Sequence, residues 1–179
     1  MTALVELASD RDLDDITIGE LTAAAGVNRA TFYLHYANKE QLLVDAIDDV
    51  TDEISIGAAA ATSEEFDDQD RAPRHTQAFF AELDERAALY RRILGPTGSP
   101  AVVARLAEGL QRVIAEQIGQ RTPGKGHDAR SIERRAAFLA GGVIAAAATW
   151  LSSDERAPAA EEAVEVWRLA LAAGVPRPS

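Results

Sequence analysis

No cysteine occurs in this chain, which excludes a disulfide scaffold and thiolate chemistry. Histidine is scarce: His35, His75 and His127 are scattered, and none has the spacing of a metal-ligand pair. The serines sit in stretches that read as loops and helix caps, without a nucleophile-elbow pattern. Paired acids such as Asp48-Asp49 and Glu64-Glu65 read as solvated faces. One glycine-rich stretch, Gly119-Gln-Arg-Thr-Pro-Gly124-Lys125, fits the first part of a phosphate-binding loop. Gly126 stands where the magnesium-binding hydroxyl would be, an amphipathic helix precedes it rather than a strand, and Pro123 removes an amide donor. On these absences no enzyme activity, metal or cofactor is expected. Met1 to Ala8, short and acidic rather than basic and apolar, does not resemble a secretory signal. The charge-free run Ala136 to Leu151 is shorter than the ~20 residues of a membrane span. A cytoplasmic chain with no membrane partner is expected.

Basic residues are also few. Eighteen Lys and Arg face 29 Asp and Glu, giving a net charge of −11, an unpromising total for a nucleic-acid partner. Their distribution matters more. Between Ile16 and Glu40 the acids are Glu20 and Glu40 alone, against Arg29, Lys39 and His35, while acids gather at 10–15, 45–53 and 64–70.

Nearly half the residues are apolar, and valine and isoleucine do not alternate with polar residues. That pattern predicts an all-α fold. The informative stretch is Thr17 to Lys39, TIGELTAAAGVNRATFYLHYANK. Thr17 suits the N-cap of one short helix, on which Ile18, Leu21 and Ala25 share a face. Gly26 supplies the positive φ of a tight turn, and Val27 is expected to plug the joint. Asn28 caps a second helix, with Arg29, Thr31 and Tyr33 outward and Phe32 and Tyr36 inward. This is the pattern of a helix-turn-helix, whose second helix enters a DNA major groove.

The run GELTAAAGVNRATFYLHYANKEQLL resembles the N-terminal domain of the tetracycline-repressor (TetR) family of transcriptional regulators. The AAGV turn, the TFYxHY end of the second helix and the KEQLL opening of the next carry the likeness. It implies a helix-turn-helix DNA-binding domain over residues 1–45, with the motif at 17–36, and a helical effector-binding and dimerisation domain over 46–179. Asn28, Arg29 and Thr31 lie where the recognition helix meets bases, and Arg29 suits a guanine or a phosphate. By the resemblance Tyr33 and Lys39 contact the phosphate backbone, and Thr17 and His35 are further phosphate candidates. Leu34 departs from the polar or basic residue frequent in the family. The family's first helix usually starts earlier, behind a basic arm; this sequence opens inside that helix. Asp12 follows it where the family often has glycine, and aspartate tolerates left-handed backbone.

Helix 4 is expected from Asn38 to about Ala60, with Leu43, Ile47, Val50 and Ile54 on one stripe. Pro73, Ser99-Pro100 and Pro158 mark further helix starts, and a buried helix 8 is expected over 131–151. Gly141 and Gly142 would admit a neighbouring helix. Helices 8 and 9 look like a four-helix bundle when doubled by two-fold symmetry, which is how the resembled family forms homodimers. An unidentified small-molecule effector is expected among helices 5 to 8. Phe79, Phe80, Leu83, Tyr90, Leu106, Leu110 and Trp150 are its candidate contacts, and Tyr90, His75, Gln77 or Arg105 its candidate polar anchors. The expected function is a ligand-responsive repressor, bound as a homodimer to a palindromic double-stranded DNA operator. The alternative is a helical dimeric sensor or interaction protein that no longer binds DNA.

Overall fold

The computed structural model describes residues 2–62, 65–66, 68–121 and 128–173. Among these residues all regular structure is helical. The helices are α1 (Thr2–Asp10), a 3-10 turn (Leu13–Asp15), α2 (Ile18–Ala24), α3 (Arg29–His35), α4 (Lys39–Ala59), α5 (Arg74–Glu85), α6 (Ala87–Ile93), α7 (Pro100–Arg121), α8 (Ala129–Ser152) and α9 (Ala159–Ala172). Local chemistry sets most of the starts. The side-chain oxygens of Thr17, Asn28, Asn38 and Asp128 accept from backbone N–H groups of Glu20, Thr31, Gln41 and Ser131, at 3.1, 2.8, 2.9 and 2.7 Å. Each satisfies a donor that the first turn leaves without an intrahelical partner. Pro73 and Pro158 stand immediately before α5 and α9, where their fixed φ suits entry to a helix. The phosphate-loop check over 119–125 falls largely outside the described residues.

One apolar core runs from Leu4 in α1 to Trp167 in α9. α4 contributes Leu42, Leu43, Ile47, Ile54 and Ala58 to it, so the expected division at 45/46 falls within an unbroken helix. α7 packs along both α4 and α8, α5 lies between α4 and α9, and α6 meets α1 and α8. Polar links follow the same seams. Arg92 donates to the Asp12 carboxylate at 2.6 Å and to the Asp10 carbonyl at 2.7 Å. Arg105 grips Asp48 through two bonds of 2.6 and 3.0 Å, and Ser99 meets Glu40. Asp12 is extended (φ −65, ψ 147) rather than left-handed; its carboxylate is held by Arg92.

α7 comes close to α4 at Gly109. A Cβ there would sit 2.5 Å from Cγ2 and 2.8 Å from Cβ of Thr51, a fully buried, β-branched residue of α4. Alanine gains ~1 kcal/mol of helix propensity over glycine, but overpacking a stiff buried contact costs ~1–3 kcal/mol. Gly109→Ala should therefore lose up to ~2 kcal/mol in urea denaturation, and adding Thr51→Ala should recover part of the loss. A Gly109→Ala protein more stable than wild type would contradict this contact.

α8 is not the wholly buried helix expected. Ala136, Leu139, Ala140, Ala147, Trp150 and Leu151 close on the body, while Phe138 is 71% exposed. Open space faces Gly141 and Gly142. By length and composition α8 could cross a membrane, but its inner face completes the core. Leu169 of α9 is also exposed.

Candidate nucleic-acid interface and internal cavity

The α2–α3 joint is built by backbone chemistry. Gly26 takes φ +66, the positive value found among the described residues. Its N–H reaches the Ala23 carbonyl at 3.2 Å, and the Val27 N–H reaches that of Thr22 at 3.0 Å. This pair of bonds is the Schellman ending, which closes a helix and turns the chain. Val27 is 45% exposed, so it caps the outside of the joint instead of plugging it.

α3 is held by a single buried side chain, Phe32, with half-buried Tyr36 beside it. Burial first, then the neighbouring Asp45, pushes the Tyr36 phenol above its usual range. The opposite face carries Asn28, Arg29, Tyr33, Leu34 and His35, all exposed. Tyr33 is 57% exposed, its ring edge-on to Phe32 at 5.4 Å. The Arg29 guanidinium lies across α2 at Gly19, where a Cβ would come within 2.4 Å of Nη2. Thr31 is half-buried, and its hydroxyl donates to Asn28 Oδ1 at 3.1 Å. That oxygen serves the cap, which leaves the Asn28 amide N–H groups to offer a partner.

Thr17 and Glu20 form a complete capping box. Glu20 Oε2 accepts from the Thr17 N–H at 2.9 Å and from its hydroxyl at 2.8 Å, and Arg11 pairs with Oε1 at 2.9 Å. The Arg11 hydrogen bond, then those from Thr17, lower the Glu20 carboxyl from 4.5 to about 2. A depressed folded pKa means the charged carboxylate stabilises the fold above the unfolded value and stops doing so as pH falls through the folded one. The stability difference between wild type and Glu20→Gln should thus be full above pH 4.5 and vanish as pH falls toward about 2. Denaturant titrations across that range check it; a difference that does not change with pH would contradict the box.

Lys39 departs from its expected role as a phosphate contact. Its ammonium donates to the carbonyls of Leu13, Asp14 and Ile16 at 2.6, 3.3 and 2.5 Å. All three of its donors are directed at the turn between α1 and α2, so it fastens that turn to the start of α4.

The expected effector contacts separate into two groups. Phe79 and Leu110 line a cavity of about 100 Å³ bounded by α4, α5, α7, α8 and α9. Phe80, Leu83, Leu106 and Trp150 do not line it; they are packed core, the first three with no exposed surface. Phe80 meets Phe79 and Trp150 edge-on at 5.4 and 5.8 Å. Tyr90 is buried beneath a separate cleft among α1, α4, α5 and α6. Its hydroxyl donates to Glu82 at 3.1 Å, and burial pushes its pKa up to about 12. Of the expected polar anchors only His75 reaches the cavity. Gln77 bonds the Ala72 carbonyl, and Arg105 is bound to Asp48. Trp167, Val166, Phe66 and Gln117 line it without having been expected.

Residues 1–46 match the family described as bacterial regulatory proteins, tetR family. A 37-residue segment is 54% identical to the uncharacterized HTH-type transcriptional regulator YxbF of Bacillus subtilis (strain 168), covering 21% of this chain and 10% of that protein. The chain thus matches about a tenth of the curated relative's length. The fold is similar to that of a TetR transcriptional regulator from Streptococcus agalactiae 2603V, with a TM-score of 0.65 at 18% identity over 94% of this chain and 89% of that one. It is also similar to RolR without ligand, with a TM-score of 0.53 at 22% identity over 99% and 96% of the two chains. The sequence match is thus confined to the head, residues 1–46, which resembles the tetR family of bacterial regulatory proteins, and the helical body is matched in fold alone.

Proposed function

We propose that this chain is a cytoplasmic, DNA-binding transcriptional regulator that represses as a homodimer and is released by a small-molecule effector. The carrying observation is the exposed face of α3, on which Asn28, Arg29, Tyr33 and His35 point away from a core anchored by Phe32. Two such helices must sit about 34–36 Å apart to enter successive major grooves. The unfilled apolar faces around Phe138 and Gly141 on α8 and Leu169 on α9 suit the two-fold seam that would hold them there. An effector in the body would act by binding one dimer shape more tightly than another. α4 is the natural lever, because one helix carries both the Lys39 clamp and the Ile54 wall of the cavity.

A labelled palindromic duplex from the gene's own upstream region, titrated with full-length protein at two salt concentrations, tests this reading. Specific binding that weakens as salt rises is expected, since phosphate contacts release counterions. Dimers that bind no duplex at either salt would leave the alternative, a helical sensor without DNA binding, which the net charge of −11 favours.

A further inference from the structure

We infer that the cavity between α4, α5, α7, α8 and α9 takes a small, neutral, predominantly apolar molecule, and that it does not take carboxylate or ammonium compounds. The inference deepens the effector reading and rests on it for the link to DNA. The cavity's volume of about 100 Å³ is on the scale of apolar protein cavities that admit benzene. Among the described residues its lining contains no carboxylate, ammonium or guanidinium; His75, Thr76 and Gln117 are its polar side chains. An ion entering it would give up much of its hydration, and among the described lining residues only the His75 imidazole could carry a compensating charge.

The aromatic wall is fixed in place. Trp167 directs its indole N–H outward to the Asp68 carbonyl at 3.1 Å, which leaves its ring as the surface facing a ligand. Phe66 packs edge-on to Trp167 at 5.5 Å and tilted against His75 at 5.6 Å. Arg168 fastens the same segment through the Gln69 carbonyl and the Asp70 carboxylate at 3.2 and 2.7 Å. A preformed wall of this kind selects by shape and desolvation rather than by charge. The cavity also borders α4. Ile54 lines it, and one turn further on a Cβ at Gly57 would stand 3.3 Å from the His75 Cβ. A ligand here presses on the helix that carries the head.

Full-length protein titrated with toluene and, separately, with benzoate tests the assignment, by tryptophan fluorescence and thermal denaturation. Toluene is expected to bind and raise the melting temperature, and benzoate to bind at least about 100-fold more weakly. Val113→Phe, which fills the cavity, should weaken toluene about tenfold or more. Val113→Ala, which enlarges it at modest cost to folding, should shift preference from toluene toward p-xylene. Benzoate binding as well as toluene, or toluene binding indifferent to both substitutions, overturns the inference. Operator binding without any toluene binding also overturns it and leaves the DNA reading standing. Toluene binding that leaves operator affinity unchanged supports the ligand class and removes effector release instead.

Discussion

Replacing Arg29 by alanine should weaken operator binding by about 30-fold to 10⁴-fold, the largest functional effect expected of any single substitution in the head. A guanidinium hydrogen-bonded to a guanine edge contributes ~1–3 kcal/mol to discrimination. A homodimer carries the substitution twice, so the loss is ~2–6 kcal/mol per complex. Arg29 opens the recognition helix, and its packing across Gly19 of α2 restricts its reach to one side of the helix. Fluorescence anisotropy against operator and scrambled duplexes checks the effect. If Arg29 reads a base, the loss is confined to the operator and its specificity relaxes at one position per half-site. If it holds a phosphate, both duplexes lose affinity and the salt slope falls by ~1 for each contact. Unchanged affinity for both duplexes would remove Arg29 from the interface.

The second large effect concerns folding. Lys39→Met keeps the apolar stem and removes the ammonium, leaving the carbonyls of Leu13, Asp14 and Ile16 without that donor. Hydrogen bonds from charged groups contribute ~1.5–3 kcal/mol each when sheltered. Lys39 is half-buried, and water replaces part of its role, so ~2–4 kcal/mol of stability should be lost. Urea denaturation measures it. The DNA experiment separates clamp from phosphate contact: a displaced α1–α2 turn lowers operator affinity without changing the salt slope, whereas a lost phosphate contact lowers the slope as well. Unchanged stability with a reduced slope would return Lys39 to the DNA surface.

What the sequence made legible was mainly local chemistry. Thr17, Asn28 and Gly26 act within four residues of their partners, so their roles could be read from spacing alone, whereas the Glu20 half of the capping box and the Asn38 cap were not anticipated. The exposed face of α3 followed from the same 3.6-residue period, with Phe32 as the one inward anchor. The Lys39 clamp was not legible, because its acceptors lie 23 to 26 residues earlier in the chain, and only tertiary packing brings them together. Phe80, Leu83, Leu106 and Trp150 were expected to touch an effector, but an apolar side chain on a helix carries no measure of its depth. Whether an inward residue meets a neighbour or an empty space depends on how five helices converge. α8 shows the converse limit. An uncharged, alanine-rich run looks buried on every side, yet Phe138 and the two glycines face outward, where a second copy of the chain would cover them.

The proposed dimer holds two α3 faces at one fixed spacing and phase on a duplex. The most direct measurement compares the operator with a version carrying about five extra base pairs between its half-sites, half of a ~10.5-bp turn. That insertion places the half-sites on opposite sides of the helix while leaving every base contact within each intact. Dimers in sedimentation, two protomers on the natural operator, and affinity for the inserted version reduced to the level of a scrambled duplex are the expected results. Equal affinity for both spacings, or a protein that remains monomeric when bound, would contradict the proposed dimer.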